Sequence, residues 1–342
     1  MVKVKEKTIA KNFESDQNDN AVYFLALGGM EHVGQNMYVY KHKGKYLVVD
    51  CGMGFLEGEL EGADTRYCDT SFLEKHKKDV LGFVITHGHE DHTGGLKYIW
   101  PKFRAPIYCT RFVKNFMSRE FTGMGIDMKP SDFVVFDHNG DNFKLGSFDI
   151  ETFHVSHSLP EANMFIIKTA QGKILHTGDW TFNDDNPIEP KTNYARLAEI
   201  GSDPDLLACV CDSTEIARQN VQTTEREVCN TLTKIMSDAP GRILVTGYSR
   251  SIGRLKMFAE AARASGRIPC IKERSNPRPV PYVGLPEFRE IGIEYNYLEK
   301  DDLLLFKDIS ELPGEKQAIF LTGSQGEQFA MLPRLCLSLI HI

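Results

Sequence analysis

The chain has 342 residues, 42% hydrophobic and 25% charged, with a formal net charge of −7. That length implies about two domains with apolar material for a sizeable core, in a composition typical of globular proteins. The acidic balance excludes a protein that coats nucleic acid through bulk charge, but not one that grips phosphates at a local cationic site.

No apolar run reaches the roughly 18 residues of a membrane helix. The opening MVKVKEKTIAKNF lacks the apolar core of a signal peptide, and the stretch after it is too acidic for a transit peptide. Lys11 to Asn20 is polar, so residues 1–20 are expected to form a flexible N-terminal segment. The eight cysteines are scattered, with Cys209 and Cys211 the one close pair and no CxxC pattern. They read as reduced, mostly buried thiols of a cytoplasmic protein without a membrane partner.

Short strands joined by Gly-rich turns fill the first half. They are expected at Ala21–Leu27, Met37–Tyr40, Lys45–Val49, Leu81–Thr86, Ala105–Cys109, Phe133–Phe136, Phe148–Phe153, Asn163–Thr169 and Lys173–His176. Helices are expected near Thr93–Trp100, Phe112–Arg119 and Ala195–Ile200. Beyond Asp212 the rhythm changes. A helix over Thr224–Ser237, a strand over Arg242–Thr246, a helix over Ser251–Ser265 and a strand over Pro269–Lys272 suggest an open parallel sheet. Asn276–Pro286 reads as a Pro-rich loop.

The central signal is His87-Gly88-His89-Glu90-Asp91-His92, directly after the buried strand LGFVIT and before a helix. Neutral imidazole and carboxylate are the donors that zinc takes in catalytic sites. His87 and His89 are two residues apart, so an extended loop points both at one ion; Asp91 and His92, at the turn into the helix, face a second. Gly88 lets the backbone bend between them. His157 and Asp179 stand at later strand ends, and Asp179 is the candidate bridge between two ions. A lone histidine is ordinarily a packed or exposed side chain, but this pattern is far too ordered for that. Asp50, ending the strand KYLVV, is read as a carboxylate that orients a ligand imidazole. His154 and His176 read as structural or supporting, and His32, His42, His76 and His138 as exposed.

HGHEDH, HTGD and the VVDCG turn resemble the metallo-β-lactamase superfamily, whose members act on very different substrates. More specific segments resemble the ribonuclease J family of its β-CASP group. These are Gly28–Met37 (GGMEHVGQNM), His157–Glu161 (HSLPE), Cys211–Thr214 (CDST) and Leu321–Glu327 (LTGSQGE). The resemblance implies an α/β fold: a metallo-β-lactamase αββα sandwich over 21–211 with an inserted β-CASP α/β domain over 212–342. It implies a zinc-dependent ribonuclease with two Zn2+ per complete chain. His87, His89 and His157 go to one ion and Asp91 and His92 to the other, with Asp179 bridging. Asp91, Asp179 and Asp212 are implied catalytic residues. Ser249, Arg254, Gly323, Ser324, Gln325 and Gly326 are implied RNA contacts, the glycines letting backbone N–H groups approach a phosphate. The implied substrates are 5′-monophosphorylated single strands, cut from the 5′ end, internally or both, by a homo-oligomer.

Two departures stand out. Thr246–Leu255 (TGYSRSIGRL) matches the family segment loosely, with Gly253 where many members have histidine. The family also continues into a histidine segment with a last zinc ligand that has no counterpart before the tail LSLIHI, so the resemblance implies a chain incomplete at its C-terminus, and weak activity in it. The rival readings are a small-molecule hydrolase, a thioesterase or lactonase, and an inactive RNA-binding form.

Overall fold

Strict alternation of large apolar residues builds the centre of the first half. Tyr38 and Tyr40 on β2 (Met37–His42) and Leu47 and Val49 on β3 (Lys45–Val49) point one way, to meet Phe148, Ile150, Phe165, Ile167 and Ile174 from a second sheet. The computed structural model describes residues 13, 18, 20–30, 33–56, 65–138, 140–182, 185–214, 216–217, 223–272 and 283–321.

The first sheet runs β1 (Val22–Gly28), β2, β3, then β6 (Val80–Val84), β7 (Ile107–Cys109) and β8 (Phe133–Val135). β1, β2 and β3 pair antiparallel; β3, β6, β7 and β8 are parallel. A short ribbon, β4 (Met53–Phe55) with β5 (Thr65–Tyr67), lies between β3 and β6 in the chain. The second sheet runs β13 (Leu206–Val210), β12 (Gly172–His176), β11 (Asn163–Thr169), β10 (Phe148–His154) and β9 (Asn142–Leu145), antiparallel except for the β12–β13 pair. The sheets bury a shared core. Outside the first, Phe83 meets Phe103 of the helix Leu96–Phe103 edge-on at 5.8 Å. Outside the second, Ile200 and Leu197 of the helix Tyr194–Gly201 pack on Phe153, Met164 and Ile166. This is the expected αββα sandwich.

A four-stranded all-parallel sheet follows, in the order β14 (Ile243–Thr246), β17 (Gln317–Leu321), β15 (Ile268–Ile271), β16 (Leu304–Leu305). The helix Glu225–Asp238 starts where expected, because Thr224 and Glu227 cap each other reciprocally. The helix Ile252–Ala264 packs Phe258 on Phe320 of β17 at 5.4 Å.

The chain divides into two units. One comprises Met1–His157, Glu161–Thr181 and Thr192–Arg218; the other comprises Ser158–Pro160, Phe182–Lys191 and Gln219–Ile342. The division thus follows Arg218, a few residues beyond Asp212, and two short pieces of the first half join the second unit.

Several elements differ from expectation for local reasons. The single helix expected over Thr93–Trp100 is two, Glu90–Thr93 and Leu96–Phe103. Gly94 and Gly95 divide them: a Cβ on Gly95 would come within 2.6 Å of the Gly52 carbonyl, so the helices meet the VVDCG turn backbone to backbone. The helix Leu285–Glu294 starts inside the stretch read as a loop, because Pro286 fits a first helical turn, where no N–H is needed. His42, expected exposed, is buried on β2, its ring edge-on to Phe148 at 5.8 Å. β2 lies between two strands and under the opposite sheet, which a turn-adjacent polar residue does not reveal. Residues 1–12, His32, most of Asn276–Pro286, and the GSQG stretch Gly323–Gly326 lie outside the described residues.

Candidate metal centre

The ends of β3, β6, β10 and β12 supply the loops of the site. After β6 the chain stays extended through His89, whose φ −67° and ψ 154° make it the N-cap of the helix Glu90–Thr93. His87 and His89 therefore emerge before the helix, and Asp91 and His92 from its first turn. Gly88 is needed for space: a Cβ there would lie 2.9 Å from the Phe116 ring.

The VVDCG turn locks onto this helix. Cys51 N donates to the His92 carbonyl at 2.8 Å, and Gly95 N to the Cys51 carbonyl at 2.9 Å. A Cβ on Gly52 would lie 1.6 Å from the Asp91 carbonyl. Asp50 adopts φ 60°, a conformation that costs a non-glycine residue about 1–3 kcal/mol. That geometry aims its buried carboxylate at His92 Nδ1, 2.7 Å away, while Thr86 N and Oγ1 each donate to it at 2.8 Å. Asp50 thus does what its place in the sequence suggested.

His157 follows β10 and is steadied by the loop it opens. The buried Glu161 accepts from Arg111 Nε at 2.6 Å and Phe112 N at 3.0 Å, and Asn163 Nδ2 donates to the Glu161 carbonyl at 2.7 Å. Asp179 follows β12 across Gly178, whose positive φ of 55° and contact with Thr86 leave no room for a side chain.

All six residues expected to ligate metal converge, in two overlapping sets. Donor atoms of His87, His89, His157 and Asp179 lie within 4.8 Å of one another, and so do those of Asp91, His92 and Asp179. His89 Nδ1 is 2.8 Å from His87 Nε2 and 3.0 Å from His157 Nε2. Asp179 Oδ1 is 3.1 Å from His92 Nε2, and Asp179 Oδ2 is 4.0 Å from His87 Nε2. Donors at about 2.0–2.1 Å around a tetrahedral zinc ion are themselves about 3.3 Å apart. The donor types and spacings therefore fit a metal ion in each set, with Asp179 common to both.

Electrostatics separate the sets. Burial, with the neighbouring imidazoles, pushes His87 well below the usual histidine range. Burial likewise pushes His157 down to about 4. Both rings are neutral at ordinary pH, as a ligating imidazole must be. His92 behaves oppositely: burial disfavours its charged form, but Asp179 and Asp50 outweigh that and hold its proton well above the usual range. Burial raises Asp91, whereas for Asp179 the surrounding imidazoles, His92 foremost, overcome burial and hold the carboxyl well below its usual range.

The second set faces a cavity of about 320 Å³, lined also by Asn36, Tyr38, Thr177, Asp212 and Thr214. Asp212 N donates to Thr177 Oγ1 at 3.0 Å, and the Asp212 carboxylate accepts from Thr214 N and Oγ1 at 2.9 and 2.7 Å. In the second unit, Ser249 is half-buried after β14, and Arg254 forms a two-point ion pair with Glu225 at 2.6 and 2.7 Å. Ser251 is buried and donates to the Ser158 carbonyl at 2.9 Å. His176 is structural: its Nδ1 meets Tyr40 OH at 2.9 Å beneath the site. Sequence reasoning gave no individual role to Asn36, Tyr38, Thr86 or Glu161. Asn36 and Glu161 lay within quoted motifs, but the partners that give them a role, Asp91 and His92 for one and Arg111 and Phe112 for the other, are far away in the chain.

Residues 31–224 match the metallo-β-lactamase superfamily, and the chain belongs to that superfamily. Residues 240–338 match the β-CASP domain of ribonuclease J. The chain is 34% identical over 335 residues to a ribonuclease J of Sinorhizobium meliloti, covering 95% of this chain and 57% of that one. It is 31% identical over 323 residues to a ribonuclease J of Thermus thermophilus, covering 92% of this chain and 54% of that one. The chain thus spans little more than half the length of these relatives. A crystal structure of a protein of unknown function from Enterococcus faecalis V583 shares the fold, with a TM-score of 0.61, 14% identity, and coverage of 93% of this chain and 85% of that one. The resemblance read from the motifs is borne out.

Proposed function

We propose that this chain carries the metallo-β-lactamase and β-CASP parts of a zinc-dependent ribonuclease that hydrolyses RNA phosphodiester bonds, from the 5′ end, internally or both, in RNA processing and decay. One observation carries the reading: two donor sets share Asp179 beside an open cavity, in a chain whose relatives are ribonucleases J. His87, His89 and His157 would hold one zinc ion and Asp91 and His92 the other, with Asp179 between them.

When bound, a zinc pair makes water acidic enough to attack at neutral pH and offsets charge building on the phosphate. The protein's own groups do the rest. Asp50 fixes the orientation of the His92 ring through Nδ1. His92 would keep its Nδ1 proton, donated to Asp50, and ligate through Nε2. Asp179 orients the attacking water from its place between the sets. Asp212, on the cavity wall, takes up or returns a proton as bonds to phosphorus change. Ser249, Arg254 and the backbone of Gly323–Gly326 hold the RNA strand, Arg254 by exchanging Glu225 for a phosphate.

The boundary between the two parts lies within 212–219. The substrate is single-stranded RNA with a 5′-monophosphate, met in the cytoplasm by a homo-oligomer. The reading is tested by incubating the zinc-loaded chain with 5′-labelled RNA bearing a monophosphate or a hydroxyl, alongside a thioester and a lactone. Zinc-dependent cleavage of RNA alone is the expected result. Turnover of the thioester or lactone without RNA cleavage would establish the small-molecule alternative.

A further inference from the structure

The chemistry above uses nothing of Asn36, although its contacts reach both the ligand helix and the VVDCG turn. Asn36 N donates to the Asp91 carbonyl at 2.8 Å, and Gly52 N donates to the Asn36 carbonyl at 2.9 Å. The Asn36 main chain is thereby stitched to both the ligand helix and the VVDCG turn. Its side chain reaches the second donor set: Nδ2 lies 3.1 Å from Asp91 Oδ2 and 2.9 Å from His92 Nε2. Its Oδ1 accepts from Tyr38 OH at 2.9 Å.

These partners fix which way the amide points. An ionised carboxylate only accepts hydrogen bonds, so the NH2 group must face Asp91 and the oxygen must face the phenol. Tyr38 keeps its proton, because burial, with the nearby carboxylates of Asp50 and Asp179, raises the phenol far above its usual range. The turn before Asn36 is shaped around this pair. Gly29 has φ 81°, and a Cβ there would lie 2.4 Å from Asn36 Oδ1 and 2.5 Å from Tyr38 OH. A Cβ on Gly28 would lie 2.2 Å from the Gln35 carbonyl. The double glycine therefore lets the chain close over Asn36 and Tyr38 where no other residue could.

We infer that Asn36 is a positioning residue for the second donor set: its carboxamide, aimed by Tyr38, holds the Asp91 carboxylate in the orientation that receives a metal ion beside His92. The inference rests on the two-ion reading above. Asn36 touches Asp91 and His92 and makes none of the described contacts of the His87, His89 and His157 set, so its loss should act on one ion and spare the other.

The test is a Co2+ titration of the metal-free 342-residue chain, followed by visible absorption and checked against Zn2+ competition. Asp91→Ala identifies the equivalent that belongs to the second set. Asn36→Leu keeps the outline of the side chain and removes its donor and acceptor. It should weaken that same equivalent roughly 10- to 100-fold, alter its absorption band, and leave the other equivalent unchanged. Tyr38→Phe removes one hydroxyl, should weaken it roughly 3- to 10-fold, and carries the same test if Asn36→Leu does not fold. Unchanged binding of both equivalents in the variants would overturn the inference. So would equal weakening of both, which marks a scaffold residue of the whole loop. If the parent chain takes up a single equivalent, the two-ion reading falls first and this inference with it.

Discussion

The two donor sets both draw on one six-residue motif but differ in almost every physical respect. The first gathers three imidazoles from two loops, with Asp179 at its edge. Burial keeps His87 and His157 neutral, and the support is mostly steric and distant: Phe116 under Gly88, and Glu161 bracing the His157 loop. The second combines two carboxylates and one imidazole at the cavity wall and is gripped directly, by Asp50 on His92 and Asn36 on Asp91. The cause is the conformational switch at His89. An extended segment projects side chains at a period of two, and the helical turn that follows sends the next pair elsewhere. The more charged set needs more hydrogen-bonding support because its charges lie partly out of water.

The comparison is broken most completely at the shared residue. Asp179→Ala should weaken both ions and lower RNA cleavage more than about 100-fold, beyond the usual range for losing an outer partner. Zinc content by elemental analysis and cleavage of end-labelled RNA measure this, and retention of both ions would show that Asp179 bridges nothing. Next come His89→Ala and His92→Ala, each expected to remove one ion and keep the other, read as one zinc per chain in place of two.

Asp50→Asn sharpens the contrast. It preserves shape but presents an amide to one of its donors, Thr86 or His92. A weakening of the second ion by roughly 10- to 100-fold is expected, with a stability loss of about 1–3 kcal/mol from the disturbed buried donors. Denaturant unfolding and metal titration separate the two effects. Glu161→Gln should act on the other side. It costs about 1–3 kcal/mol, chiefly through the buried Phe112 N–H left facing an amide, with any loss of metal confined to the set that contains His157.

The smallest effect is expected far from both sets. Glu151 of β10 is ion-paired with Lys168 and Arg196, each at 2.5 Å, on the outer face of the second sheet. Burial raises its carboxyl, but those two cations outweigh burial and hold it below the usual glutamate range. A lowered folded value means stability present at neutral pH and lost as acidity passes down through that value. Being partly exposed, the network is screened, so Glu151→Gln should cost about 0–1 kcal/mol, with the difference disappearing in acid and metal binding unchanged. A change in metal binding there would show that the sheet transmits strain to the site.

The sequence alone carried the donor set, because zinc chemistry restricts the residue types and the strand-then-helix context restricts where they can stand. His87, His89, Asp91, His92, His157 and Asp179 were legible for that reason. So was Asp50, through its place at a strand end before a Gly turn. The αββα sandwich was legible through the resemblance of HGHEDH, HTGD and the VVDCG turn to the metallo-β-lactamase superfamily. What only the tertiary structure decided are contacts between residues far apart in the chain, for which sequence holds no local trace. His42 is buried because β2 is flanked by two strands and covered by a sheet formed a hundred residues later. Gly52 and Gly95 are glycines because two backbones cross there. Asn36 and Glu161 sat inside recognisable motifs without roles, since Asp91, His92, Arg111 and Phe112 become their partners only when the loops close. A short polar side chain reads as a turn residue until the fold brings it a carboxylate or an imidazole.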